Sequence, residues 1–295
     1  MKLFSLFSGI GGLEFGLRDK VDLIGYSEIK ESSVKIFDKW YEGKNYGDIK
    51  KINFNDLLDF DILVGGFPCQ SFSLAGLRKG FEDERGKMIF YIYELLKIKK
   101  PEFVVLENVK GILSHNKGKT YKDIVKLLSS LGYFVRIILL NALNYGSAQN
   151  RERIFFLCSN KDFEVKNPIK IDDSKRFGNF LDKNRNNYRF IKKNNLRILD
   201  KIEQKRLFNF ELIGKYDRIG TLTTQKGCGE KLVWDEKEKW YRYLTILECE
   251  RLQGFSDGWT DGISEKDRYF ALGNAVNCNM SKYLFEDYLP KIWKI

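Results

Sequence analysis

The sequence predicts an α/β fold: a mostly parallel sheet with one antiparallel strand, accompanied by a small basic lobe. Three observations carry this. Short apolar runs alternate with helix-length stretches from the start of the chain to "RERIFFLCS", which asks for parallel strands, right-handed crossovers and helices on both faces. "RERIFFLCS" follows "FVRIILLNAL" after only a loop, so it should run antiparallel to its neighbour, because a parallel return needs a crossover. Charge is concentrated: residues 183 to 242 hold 16 Lys plus Arg against 8 Asp plus Glu, or +8 of the chain's +11.

In order, strands are expected at "KLFSLFS", "DLIGYSE", "DILVGGF", "FVVLENV", "FVRIILLNAL" and "RERIFFLCS". Helices are expected at "LEFGLRD", "SSVKIFDKWY", "MIFYIYELLKIKK" and "YKDIVKLLSSLGY". After about residue 182 the alternation gives way to a Lys/Asn-rich stretch, a Gly/Thr-rich piece "RIGTLTTQKGCGEK", and "KLVWDEKEKWYRYL", which reads as a hairpin with an acidic turn. From "LTILECERLQGF" to "YFALGNAVNCNMSKYLFEDYL" the chain again reads as helical and is expected to rejoin the first domain. The predicted division is 1–182 plus 245–295 for a large domain and 183–244 for a small basic lobe.

Composition removes several function classes. The 295 residues contain no membrane-length apolar run, and "MKLFSLFSGIGG" is too short and too glycine-rich for a signal peptide, so a cytoplasmic protein is expected. Cys69, Cys158, Cys228, Cys249 and Cys278 are scattered, odd in number and free of any C-x-x-C pair, which predicts neither a disulfide framework nor a metal site. The single histidine, His115, lies in a polar loop, which argues against a Ser/His or Cys/His hydrolase. With 36 Lys against 15 Arg, the net charge alone says little; the clustered charge points to nucleic acid.

In an open parallel sheet, ligands bind beyond the carboxyl ends of the strands. There "FSGIGG" places Gly9, Gly11 and Gly12, which permit close backbone approach, and Glu28 ends the second strand like an acid that grips a ribose hydroxyl. By themselves these also fit a tight turn and a surface glutamate. Cys69 closes "DILVGGF" and Glu107 closes "FVVLEN", so plausible neighbours bring a thiol and a carboxyl to one rim. Pro68 and the polar loop after Cys69 suit a nucleophile better than a buried apolar cysteine. A Glu107 beside a thiolate and partly desolvated should titrate high, as a proton donor needs; helix capping or pairing with an arginine is the competing role. Arg151 and Arg153, two apart, should project to one face beside that rim, to bind a carbonyl or phosphate or to pair with local carboxylates.

These blocks together resemble the cytosine-5 DNA methyltransferases of the bacterial HhaI type. The matching segments stand in that family's order: "LFSGIGG", the Glu28 strand end, "YGDI", "GGFPCQSFS" with "GLRKGFEDERG", "ENVKGI", "LNALNYGSAQNRERIFF", "LTILECERLQGF" and "LGNAV". The resemblance implies an S-adenosylmethionine-dependent, Rossmann-like mixed sheet with a small target-recognition lobe. It implies that Phe7, Gly9, Gly11, Glu28, Ile29, Asp48, Ile49, Asn274 and Val276 hold S-adenosylmethionine, released as S-adenosylhomocysteine, without a metal. It gives Cys69 the attack on carbon 6 of a flipped cytosine, Glu107 nitrogen 3, Arg153 the carbonyl oxygen, Arg151 an organising role, and Asn108 and Pro68 the shape of the Cys69 loop.

Residues 70–87 then resemble a lid with Gly76, Gly80 and Gly86 as hinges and Arg78, Lys79 and Arg85 on phosphates. Thr221 resembles a phosphate-contacting threonine, and Arg185, Arg189, Arg197, Arg206 and Arg218 are candidates for reading guanine. The chain departs from the pattern at Ile29, where the family has tryptophan, and at Ala75, where it has serine. Double-stranded DNA is the implied partner of a monomer; a cognate restriction endonuclease acting independently and an orphan enzyme without one both fit the sequence. Competing expectations are tRNA cytosine methylation, which the missing Cys-Phe-Thr element disfavours, and a DNA-binding regulator without catalysis, which the intact Cys69, Glu107 and Arg153 disfavour. A nicotinamide enzyme is disfavoured because the glycine spacing is not G-x-G-x-x-G.

Overall fold

The computed structural model describes residues 1–68, 88–191, 211–224 and 231–293. They form two compact units, one of residues 1–141, 152–169 and the tail from 280, the other of residues 142–151 and 170–279. Cys69, Ala75, Gly76, Arg78, Lys79, Gly80, Arg85 and Gly86, together with Arg197, Arg206 and Cys228, lie outside the described residues.

The first unit carries a seven-stranded sheet of β1 (Lys2–Leu6), β2 (Asp22–Ser27), β3 (Lys44–Asn45), β4 (Ile62–Gly66), β5 (Phe103–Val109), β6 (Phe134–Asn141) and β7 (Glu152–Ser159). Its order is β3-β2-β1-β4-β5-β7-β6. The first five strands in that order are mutually parallel, and β7 is antiparallel to both β5 and β6, as its short connection predicts. β4 and β5 read as continuous apolar runs because both faces are covered. Leu63, Val104, Leu106, Ile154 and Phe156 pack with Ile92, Leu95 and Leu96 of α2 (Met88–Lys99) and Ile124 and Leu128 of α3 (Lys119–Ser129). Tyr26 stacks on Phe37 of α1 (Glu31–Trp40).

The helix expected over "LEFGLRD" is only a 3-10 turn, Glu14–Leu17. Arg18 leaves helical geometry and Asp19 turns left-handed at φ 63°. Gly16 there lies against backbone: a Cβ would stand 2.4 Å from the Ser281 carbonyl oxygen.

In the second unit, β8 (Glu211–Ile213), β9 (Lys231–Asp235) and β10 (Trp240–Tyr243) form a sheet of order β10-β9-β8. β9 and β10 are the hairpin with the acidic turn. The parallel partner β8 was not marked by any alternation in the sequence. The helices α4 (Ile246–Gln253) and α5 (Glu265–Asn274) belong to this unit, so the division differs from the expected return of residue 245 onward to the first domain. The physical reason is buried polar bonding. Both terminal nitrogens of Arg242 bond Glu248 at 2.9 and 2.7 Å, each side chain being at most 1% exposed, and Glu248 also accepts from the backbone of Thr245 and Asp182. No helix among the described residues is long and apolar enough to cross a membrane.

Removing one partner of such a pair leaves a charge uncompensated in a dry site. Arg242→Met should therefore lower unfolding stability by roughly 3–5 kcal/mol, read from the urea midpoint of the second unit. A loss below about 1 kcal/mol, the usual size of an exposed pair, would show that the bond does not hold this unit together.

Candidate active site

Because β1, β2, β4 and β5 are parallel, their carboxyl ends share one edge, and antiparallel β7 brings its amino end to the same edge. The register fixes the neighbours: Leu6 pairs with Ser27 and with Gly65, Gly66 with Glu107, and Val109 with Arg153. Glu107 and Arg153 are thus diagonal neighbours across β5 and β7, within reach of long side chains. Arg153 Nε lies 2.8 Å from Glu107 Oε1, and the two side chains are 11% and 12% exposed. Burial pulls the Arg153 guanidinium below its ordinary range, and the charge and hydrogen bond of Glu107 work against that pull.

The expectation of an arginine and a carboxyl at one rim is met by Arg153. Arg151 is different. It is fully buried, and its guanidinium donates to the carbonyls of Leu222 (3.2 Å), Gly273 (3.0 Å) and Ala275 (2.7 Å), all in the second unit. The expected side-by-side projection of Arg151 and Arg153 is therefore corrected: residue 151 precedes the strand, and the i, i+2 rule does not apply to it. Asn108 Nδ2 donates to the Phe67 carbonyl at 3.0 Å, which fixes the chain next to Pro68, the last described residue before Cys69.

At the other end of the edge, the "FSGIGG" loop takes left-handed geometry at Phe7 (φ 54°), Gly9 (φ 55°) and Gly11 (φ 84°). Phe7 carries a Cβ in that region, a strain held by its backbone bond to Ser27 at 2.8 Å. Glu28 organises the loop: Oε2 accepts from Gly9 N at 2.9 Å, and Oε1 from the amides of Ile29 and Lys30 at 2.9 and 2.8 Å. Ile29 is 72% exposed. Asp48 accepts from Lys50 N at 3.0 Å and Ile49 is buried. A Cβ added at Gly9 would meet nothing within 4 Å, so the loop backbone is open there. Open backbone beside an acid is the donor set a nucleoside needs, and the residues fit S-adenosylmethionine. Asn274 and Val276 lie in the second unit, the first exposed at the end of α5, the second buried.

Asn45 was not singled out in the sequence. Its Oδ1 accepts from Glu28 N (3.2 Å) and Gly47 N (2.9 Å), and its Nδ2 donates to the Glu28 carbonyl (3.1 Å). Its place two residues before the glycine of "YGDI" was the available signal. Gln149 and Gln253 were also missed. Gln149 accepts from Leu222 N at 3.0 Å and donates to Gln253 at 3.1 Å, while Gln253 bonds the Leu272 carbonyl at 2.5 Å.

The expected guanine readers among the described residues, Arg185, Arg189 and Arg218, have local partners. Arg185 is bidentate on Asp235 at 2.8 and 3.0 Å and also meets Glu238, which makes it a brace for the hairpin turn rather than a groove reader. Arg189 pairs with Glu265 at 2.9 Å, and Arg218 donates to the Asp173 carbonyl. Thr221 Oγ1 donates to the Asn150 carbonyl at 2.7 Å. Among the described residues no group of three or more His, Cys, Asp or Glu could hold a metal.

A family model of the C-5 cytosine-specific DNA methylases matches residues 1–289. The Type II methyltransferase M1.ScrFI of Lactococcus lactis subsp. cremoris is 34% identical over 93% of this chain and 74% of its own. The Type II methyltransferase M.HhaI of Haemophilus parahaemolyticus is 29% identical over 96% and 93%. Among solved structures, the Entamoeba histolytica methyltransferase EhMeth superposes with a TM-score of 0.78 at 25% identity, covering 99% of this chain and 98% of that one.

Beneath the glycine loop, Glu14 is fully buried; Oε1 accepts from Ser5, which also bonds Ser8 at 2.8 Å, and Oε2 has no hydrogen-bond partner among the described residues. Burial raises its carboxyl to about 7, the Ser5 bond opposing. A folded-state value above the unfolded one means that folding favours the protonated form. The contribution of Glu14 to stability is therefore fully present below about pH 4.5 and is lost as pH rises toward 7. Relative to Glu14→Gln, the wild type should lose on the order of 3 kcal/mol between those limits. Parallel stability-versus-pH curves for the two proteins would refute this.

Proposed function

The chain belongs to the C-5 cytosine-specific DNA methylases, and on that premise we propose that it methylates carbon 5 of a cytosine flipped out of duplex DNA, through a covalent adduct with Cys69. The observation that carries the reading is the Glu107–Arg153 pair, 2.8 Å apart on the edge to which β4 delivers Pro68. A carboxyl and a guanidinium held together match the nitrogen 3 and carbonyl oxygen of a cytosine ring, which are also adjacent.

Cys69 thiolate adds to carbon 6, and the ring electrons move toward nitrogen 3. Glu107 donates a proton or hydrogen bond there, while Arg153 neutralises charge at the carbonyl oxygen. Carbon 5 becomes nucleophilic and takes the methyl group; loss of its proton then returns electrons to the ring and expels Cys69. S-adenosylmethionine supplies that methyl group on its sulfonium and leaves as S-adenosylhomocysteine. Phe7, Gly9, Gly11, Glu28, Asp48, Ile49, Asn274 and Val276 would hold it. Asn108 sets the approach to Pro68, whose carbonyl is suited to the exocyclic amine.

DNA would be gripped by Arg78, Lys79 and Arg85 and by Thr221. The Arg189 pair is half exposed, so a phosphate can compete with Glu265 for it. Arg151 serves by fastening the segments around Leu222 and Gly273. On this reading the enzyme acts in the cytoplasm as a monomer on its site, with or without a cognate restriction endonuclease.

Cys69→Ala should abolish methyl transfer, measured with labelled cofactor on duplex DNA; turnover by that variant would remove the assigned nucleophile. Duplexes carrying 5-fluorocytosine should trap the wild type in a denaturant-stable adduct, since fluorine cannot leave as the carbon 5 proton does. A freely dissociating product would exclude the covalent route.

A further inference from the structure

We propose that Tyr41 is a positioning residue for S-adenosylmethionine, holding the glycine loop in its binding shape from beneath. The inference rests on the reading of that loop as the cofactor site. Tyr41 caps the carboxyl end of α1, 30 residues from the loop in sequence, and its hydroxyl donates to the Gly11 carbonyl at 2.6 Å. The contact is steric as well as polar. A Cβ at Gly11 would stand 2.1 Å from Cε2 of the ring, so the ring occupies the space that any other residue at 11 would need.

Two features make the hydroxyl matter. The ring stacks on Phe37 at 4.5 Å on one side, but it also borders a cavity of about 370 Å³ with Leu3, Leu17, Arg18 and Trp40. The Arg18 guanidinium also lies 6.0 Å from the ring centroid, but ring contacts do not fix where the hydroxyl points, and its bond to the Gly11 carbonyl does. The loop above combines a strained Phe7 with two glycines, Gly9 and Gly11, that can take many other backbone conformations, so a support that restricts Gly11 raises the fraction of molecules ready to bind. In sequence, Tyr41 is unremarkable among fifteen tyrosines.

The test is Tyr41→Phe, which keeps the stack and removes only the tether. S-adenosylhomocysteine Kd and S-adenosylmethionine KM should rise about three- to tenfold, the range one buried hydrogen bond spans. kcat and the KM for DNA should stay within about twofold, because binding lost equally in the ground state and the transition state raises the cofactor KM and leaves kcat unchanged. Tyr26→Phe is the control. Tyr26 lies on the far side of Phe37 and bonds Asp38, not the loop, so its variant should bind cofactor as the wild type does. Hydrogen exchange of the peptide spanning residues 7–13 should quicken in Tyr41→Phe and not in Tyr26→Phe.

Equal cofactor affinity of Tyr41→Phe and wild type would overturn the inference and leave the methyltransferase reading intact. Equal losses in both variants would also overturn it, since general loosening of the stack would then be the cause. A wild type that binds no S-adenosylhomocysteine would overturn the cofactor reading and this inference with it.

Discussion

The ion pair between Glu107 and Arg153 depends on one topological fact, the insertion of β7 antiparallel between β5 and β6. Were β7 to run parallel, its amino end, and Arg153 with it, would lie at the opposite edge of the sheet from Gly66 and Glu107. The antiparallel direction comes from the short passage between β6 and β7, since about ten residues cannot carry a crossover. A local property of the connection thus selects which charge faces the acid. The pair then limits its surroundings: each group is about nine-tenths buried, so each needs the other, and any group entering between them must offer equivalent hydrogen bonds.

Glu28 works by a related economy at the other end of the edge. Its carboxylate meets three backbone amides, those of Gly9, Ile29 and Lys30, and so joins two connections that the sequence keeps far apart. Amide donors hold a carboxylate without adding a competing cation. The group stays an acceptor placed by backbone, with Asn45 fixing the main chain on either side of it. That arrangement tolerates the exposed Ile29 next door, because the strand end sets the orientation of the carboxylate and the neighbouring side chain does not.

How much of this was legible in sequence divides along the range of the forces involved. Strands β4 and β5 were plain, because burial on both faces writes an unbroken apolar run, and the β9–β10 hairpin was plain from its acidic turn. Glu107 and Arg153 were legible as rim residues through strand ends and register. "LEFGLRD" misled, since its helical spacing is real but backbone packing at Gly16 and the left-handed Asp19 cut it to one turn. Arg151 misled more: its partners lie 71 to 124 residues away, and no spacing rule reports them. Arg185 looked like a groove reader on charge alone, when Asp235, 50 residues on, had prior claim.

Those long-range bonds explain why residues 142–151 fall into a different unit from the strand they lead into. Ser147, Gln149 and Arg151 spend their side chains on the carbonyls of Leu252, Leu222, Gly273 and Ala275 and on Gln253, none of them exposed. Gly273 is required in the same place, for a Cβ there would stand 2.3 Å from the Thr223 carbonyl oxygen. The segment around Thr221, which resembles a phosphate contact, and the segment ending in Asn274 and Val276, which resembles a cofactor contact, are therefore laid against one another by a single buried network. Ser147, Gln149 and Arg151 of one short loop all take part in it, and that loop is continuous with Arg153.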